Sequence, residues 1–221
     1  MPNPKRSSRR LPQPQQVRSR HTRERIIRAA EELLAQHDFR GMLVRQIAAR
    51  AHTSVGAFYK HFPGKRDLLP VLLDREQSAV NIDEMESTFM RLADVPLAER
   101  VAWLVGFVAS TTTRRRNVLR ACVAARYATE LTLSPIQVAR SRDHLHRIHA
   151  WLLQCKDEIA HHDRKMAVRV GVYLALQSLQ TALLFEQLPA DLPPRRLIVE
   201  AQRMLLNYLT DARHGPAMPV P

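Results

Sequence analysis

The residues with a chemical reading lie in one run, Thr53-Ser54-Val55-Gly56-Ala57-Phe58-Tyr59-Lys60-His61-Phe62-Pro63-Gly64-Lys65. Ser54 suits a helix N-cap. From there a helical period sets Val55, Phe58 and Phe62 inward, and leaves Gly56, Ala57, Lys60 and His61 outward with Tyr59 at the flank. The outward face is small at its start and polar-basic at its end. That profile fits a DNA major groove, because small residues let the backbone approach base edges while Tyr, Lys and His reach phosphates at the sides. A tight helix start is the alternative explanation of Gly56-Ala57. Lys65 and Arg66 follow Pro63-Gly64 at the opening of another helix, where cations oppose the positive end of the macrodipole unless an anion is bound. Free N–H groups and a lysine there would clamp a phosphate, with Asp67 partly offsetting the charge.

Elsewhere the chemistry is sparse. No nucleophile with its base, no paired carboxylates and no Gly-rich loop after a strand-like run assembles, so neither an enzyme nor a cofactor is expected. His144, His146, His149, His161 and His162 lack the spacing and neighbouring ligands of a metal site and read as a solvated basic face. Cys122 and Cys155 are too few for a disulfide framework and read as small buried hydrophobes.

The elements that must hold the run are helical. Ile26, Ala30, Leu33 and Leu34 form one stripe of a helix expected from an N-cap at Thr22 to about His37, with Asp38 taking the turn after it. Val44, Ile47, Ala48 and Ala51 form a second, short stripe. Three helices in about 40 residues, with His52 to Ser54 as the middle turn, match a helix-turn-helix over 43–62. The helix from Lys65 meets Pro70 at its sixth position, where a kink is expected. Amphipathic segments follow at 97–113, 117–130, 135–159, 163–186 and 194–210, punctuated by Pro96, Pro135, Pro189 and Pro193-Pro194. The fold class is all-α. Its organisation is expected as a disordered basic arm at 1–19, a DNA-binding domain at 20–80, a larger helical domain at 81–211 and a frayed tail at 212–221.

Charge supports this division. The 221 residues carry a formal net charge of +13, from 34 Lys and Arg against 21 Asp and Glu. Residues 1–21 contribute +6, residues 22–75 add +4, and the remaining two thirds are nearly balanced. A basic segment next to a helix-turn-helix has a polyanion as its natural partner, although such a tail can also serve solubility alone. The longest uncharged stretch, Val170 to Phe185, falls short of a bilayer span of about 20 residues, so no membrane role is expected. No charged-then-apolar leader opens the chain, and a cytoplasmic location follows.

The stretch from Ile47 to Leu69, Ile-Ala-Ala-Arg-Ala-His-Thr-Ser-Val-Gly-Ala-Phe-Tyr-Lys-His-Phe-Pro-Gly-Lys-Arg-Asp-Leu-Leu, resembles the DNA-binding signature of the TetR family of transcriptional repressors. The resemblance covers about Thr22 to Arg75. It implies that Thr53, Val55, Gly56 and Ala57 lie near bases, and that Tyr59, His61 and Lys65 meet the phosphate backbone. Leu43 stands where the family often has a capping Thr, His52 where it has the turn Gly, and Asp38 where a Gly ends the first helix.

The family further implies a C-terminal domain that dimerises through its last two helices and holds a small-molecule effector, largely apolar. Trp103, Phe107, Tyr127, Trp151, Met166 and Tyr173 are the candidate pocket residues. The expected function is a homodimeric DNA-binding regulator on a double-stranded palindromic operator, a repressor released by its effector. A DNA-binding architectural or cell-cycle protein of the same fold, acting through protein partners without a ligand, is the alternative.

Overall fold

The computed structural model describes residues 14–78, 82–128, 131–186 and 191–211, and among them every regular element is helical. The chain forms two units that divide after Val71. The basic residues 1–13 and the tail at 212–221 lie outside the described residues.

The N-terminal unit is built from α1 (Pro14–Gln36), α2 (Val44–Arg50) and α3 (Val55–His61). A single 3-10 turn, Lys65–Asp67, then leads into α4 (Leu68–Ser78). The stripe on α1 buries Ile26, Ile27, Ala30 and Leu34 against Ile47 and Ala48 of α2, Phe58 of α3, and Phe62. Helix α1 starts eight residues before Thr22 and so takes in part of the stretch expected to be a disordered arm. Thr22 is inside it, its hydroxyl donating to the Arg18 carbonyl at 3.1 Å, and is not a cap. Pro14 suits a first helical position because its φ is already helical and no N–H is needed there.

The same reasoning revises Pro70. Because α4 begins at Leu68 after the 3-10 turn, Pro70 is its third residue. In the first turn a backbone N–H has no intrahelical acceptor, so the proline removes nothing and the expected interior break does not arise.

The three departures from the resembled signature are absorbed differently. Leu43 gives α2 no side-chain cap, but its own N–H donates to Gln46 Oε1 at 2.8 Å. Asp38 does not adopt the left-handed conformation; its carboxylate accepts from the Arg40 N–H at 3.4 Å instead. His52 does adopt it, with φ of 49°, which costs a side chain roughly 1–2 kcal/mol relative to the right-handed region.

The C-terminal unit contains α5 (Ile82–Arg91), α6 (Leu97–Arg114), α7 (Arg116–Tyr127), α8 (Pro135–Leu152), α9 (Arg164–Phe185) and α10 (Pro194–Thr210). Five of these six match segments read from periodicity. Helix α5 was not anticipated, and α8 ends at Leu152, followed by a 3-10 turn. Ser134 and Asp163 cap α8 and α9 by accepting the N–H groups of Gln137 and Met166. Helix α9 runs 22 residues and is long and apolar enough to cross a membrane, unlike the uncharged stretch read from sequence. It packs against α6, α7, α8 and α10, burying Val168, Val172, Leu176 and Leu179. Gly171 lets α10 approach: a Cβ there would fall 2.9 Å from both Leu205 and Tyr208.

One cation organises the end of this core. Arg100 is 2% exposed and donates to the carbonyls of Ala93, Val95 and Trp151 and to Gln154 Oε1. Its guanidinium also lies 5.3 Å from the Trp151 ring centroid. The Arg114-Arg115-Arg116 run straddles the α6–α7 break. Arg115 pairs with Glu76, and Arg116 with Glu186 at 2.5 Å.

Candidate nucleic-acid interface and effector clefts

Helix α3 has two faces because Ser54 fixes where it starts: its hydroxyl oxygen accepts the Ala57 N–H at 3.0 Å. Phe58 and Phe62 are fully buried, their rings 5.7 Å apart, and anchor the helix. Val55 does not join them. It is 42% exposed, because a first-turn side chain leans over the chain preceding the helix, where nothing covers it. The outward surface is therefore Val55, Gly56, Tyr59 and Lys60, bordered by Thr53, Ala57 and His61, with Ser54 also exposed at its start. Tyr59 leans edge-on against Phe58 at 5.5 Å, so its hydroxyl end is held away from the core.

Gly56 carries the strongest signal. A Cβ there would meet only Ser54 Oγ, at an ordinary 3.8 Å, and its φ is not positive. Neither packing nor backbone conformation inside the protein requires glycine at this point. Burial, with Arg23 and Lys60 nearby, holds the His61 imidazole below its usual pKa, favouring its neutral form.

Lys65 has a role inside the domain that its spacing did not show. Its ammonium donates to the carbonyls of Phe39 (2.8 Å), Arg40 (3.1 Å) and Met42 (2.7 Å), and sits 4.8 Å from the Phe39 ring centroid. An ammonium has three N–H donors, and all three are engaged within the domain. Lys65 thus ties the loop between α1 and α2 to the start of α4. Asp67 contributes by accepting the Gly64 N–H at 2.7 Å.

A groove of about 720 Å³ in the same unit is lined in part by Arg25, Arg28, Arg50 and His52, a basic surface that periodicity did not single out. Arg28 and Arg50 are ion-paired with Glu24 and Glu32.

The six candidate pocket residues separate. Trp151 is buried, with Trp103 edge-on at 5.6 Å, and Trp103 stacks on Phe107 at 5.1 Å. Tyr127, at 75% exposure, and Met166 and Tyr173 are on the surface, so the structure does not bring these three to a pocket. The residue missing from the reading is Phe89 on α5, whose ring stacks on Trp151 at 4.4 Å. Its signal was its spacing of four from Met85, which is also buried.

Two clefts adjoin this cluster and share Ala93 and Gln154. One, of about 260 Å³, includes Phe89, Met90, Arg147 and Trp151; the other, of about 320 Å³, includes Arg100, Cys155 and Glu158. Both cysteines are free thiols, Cys122 buried and Cys155 half-buried. Burial and Glu76 push the Cys122 thiol up to about 12, and burial also raises Cys155. Among the described residues no three metal-ligating side chains gather.

Residues 26–72 match the sequence model of the bacterial regulatory proteins of the tetR family. No curated protein matches the chain. Solved structures do. A tetR-family transcriptional regulator from Mesorhizobium loti is 20% identical with a TM-score of 0.57, over 87% of this chain and 96% of that one. A tetR-family regulatory protein from Rhodococcus RHA1 gives 21% and 0.57, over 85% and 96%. The tetR-family repressor FadR from Thermus thermophilus, in complex with lauroyl-CoA, gives 23% and 0.53, over 90% and 98%. Residues 26–72 thus match the tetR family of bacterial regulatory proteins, and the fold over most of the chain is similar to that of solved tetR-family regulators.

Proposed function

We propose that this chain is a homodimeric transcriptional repressor that reads a palindromic operator through α3 and leaves it when a small effector binds the C-terminal unit. The observation that carries the DNA reading is the outward face of α3, where Gly56 and Ala57 stand clear of the core and Gly56 has no internal reason to be glycine. Backbone there can approach base edges, with Thr53, Ser54 and Val55 beside it, while Tyr59, Lys60 and His61 reach flanking phosphates. Lys65 has no part in the contact.

Dimerisation is supported by the apolar surface of the last two helices. Met166, Tyr173 and Leu174 on α9, and Val199 and Met204 on α10, are all exposed. Two copies would place two reading helices about 34–36 Å apart, one turn of B-DNA. The effector reading draws on FadR, a neighbour of this fold solved with lauroyl-CoA, and on the aromatic cluster around Trp151.

Selection of bound fragments from random DNA tests the whole reading, and a two-fold repeat is the expected product. Tyr59→Ala should then weaken binding to that sequence about tenfold, by losing roughly 1–2 kcal/mol of backbone contact. Enrichment of no sequence, or of one without two-fold symmetry, rejects the palindromic regulator.

A further inference from the structure

The start of α3 lacks the side chains that ordinarily tell one base pair from another. Recognition in the major groove uses forked hydrogen bonds, from Arg or Lys to guanine and from Asn or Gln to adenine, or a carboxylate that accepts from cytosine. The residues that open this helix are Thr53, Ser54, Val55, Gly56 and Ala57, with no amide, carboxylate or cation among them. The Ser54 oxygen already accepts the Ala57 N–H at 3.0 Å, and Gly56 offers no side chain. A hydroxyl such as that of Thr53 pairs with donors and acceptors alike, and so discriminates poorly.

Val55 is what remains. It is 42% exposed and stands four residues before Tyr59, itself exposed, so the two share the outward side of α3. Branching at Cβ restricts its rotamers and presents two methyl groups in a nearly fixed place. The core does not call for valine here, and helix propensity would favour alanine. Among the four bases, thymine alone carries an apolar group in the major groove, the methyl at C5. Apolar surface held open at the start of a reading helix has that methyl as its complement.

We propose that Val55 specifies a thymine in each half of the operator, by packing its γ-methyls on the C5-methyl group. This rests on the operator reading above, and adds the base and the group on it that is read.

The operator recovered from random DNA, bound to the full-length protein, supplies the test. Each thymine in turn is replaced by 2′-deoxyuridine, which pairs with adenine in the same way and lacks only the methyl, and affinity is read by fluorescence anisotropy. One symmetry-related pair of thymines should stand out, each costing about fourfold, the worth of one buried methyl. In Val55→Ala, which removes both γ-methyls and suits a helix, that penalty should vanish, although the variant binds the selected operator more weakly. Where cytosine opposite guanine replaces the same thymine, 5-methylcytosine should bind about fourfold tighter than cytosine, because it restores the methyl at the same place in the groove. Deoxyuridine tolerated at every thymine overturns the inference, as does a penalty that Val55→Ala retains, and either result leaves the operator itself standing. Enrichment of no sequence instead overturns the regulator reading, and this inference with it.

Discussion

Each unit of this protein is tied together by one cation whose hydrogen bonds go to carbonyl oxygens, and the two do it differently. Lys65 gathers three carbonyls from a single short stretch, Phe39 to Met42, and is only partly buried. Arg100 is sealed from water and spreads its planar fork over Ala93, Val95, Trp151 and Gln154, joining chain segments more than fifty residues apart. A compact ammonium can close a loop; a guanidinium with five fixed donors can hold several chain segments in one geometry. The difference teaches where each unit is vulnerable. Water can take over part of Lys65's task, whereas at the Trp151 carbonyl Arg100 works out of reach of water.

The sharpest way to break the comparison is Arg100→Leu, which strands the buried Trp151 carbonyl and three part-buried acceptors. A loss of about 3–5 kcal/mol in urea unfolding of the C-terminal unit is expected, and a loss below 1 kcal/mol would reduce Arg100 to an ordinary core residue. Gly171→Ala comes next. The added methyl has no room against Leu205 and the Tyr208 ring, and about 1–3 kcal/mol of overpacking cost should appear in the same measurement. Lys65→Met should cost about 1–2 kcal/mol in the N-terminal unit while leaving the salt dependence of operator binding unchanged. A fall of about one in that slope would instead return Lys65 to the phosphate backbone. Gly56→Ala is the smallest in stability and opposite in sign, a gain of about 0.5–1 kcal/mol from helix propensity, accompanied by weaker operator binding. Unchanged binding would remove the reason offered for that glycine.

The order of these effects also explains what the sequence made legible. Five C-terminal helices were readable because prolines and caps such as Ser134 and Asp163 mark their ends. Helix α5 carried little of this punctuation, and its membership of the core depends on Phe89 meeting Trp151, a contact across some sixty residues that no local spacing encodes. In α3 the inward Phe58 and Phe62 followed from period alone, whereas Val55 did not, because a first-turn residue has no preceding turn to cover it. The internal role of Lys65 was hidden for a related reason. Its position beside a helix start argued for an anion, but the carbonyls it holds come from a loop more than twenty residues away. The aromatic residues proposed for a pocket shared only their size, and size does not separate Trp151 in the core from Tyr127 on the surface.

Gly171 also sets an order in time. Its notch is filled by Leu205 and Tyr208 of α10, the last helix described, and Ala160 donates its N–H to the Leu209 carbonyl at the far end of that helix at 2.9 Å. On the ribosome the helices of the N-terminal unit are complete once residue 78 has emerged, and that unit can fold while synthesis continues. The C-terminal unit must wait with an open groove along α9 until Pro194–Thr210 has been made. Until then its apolar surface is exposed to chaperones and to other nascent chains. A ribosome stalled between residues 186 and 194 would therefore hold a folded reading head on an unfinished body.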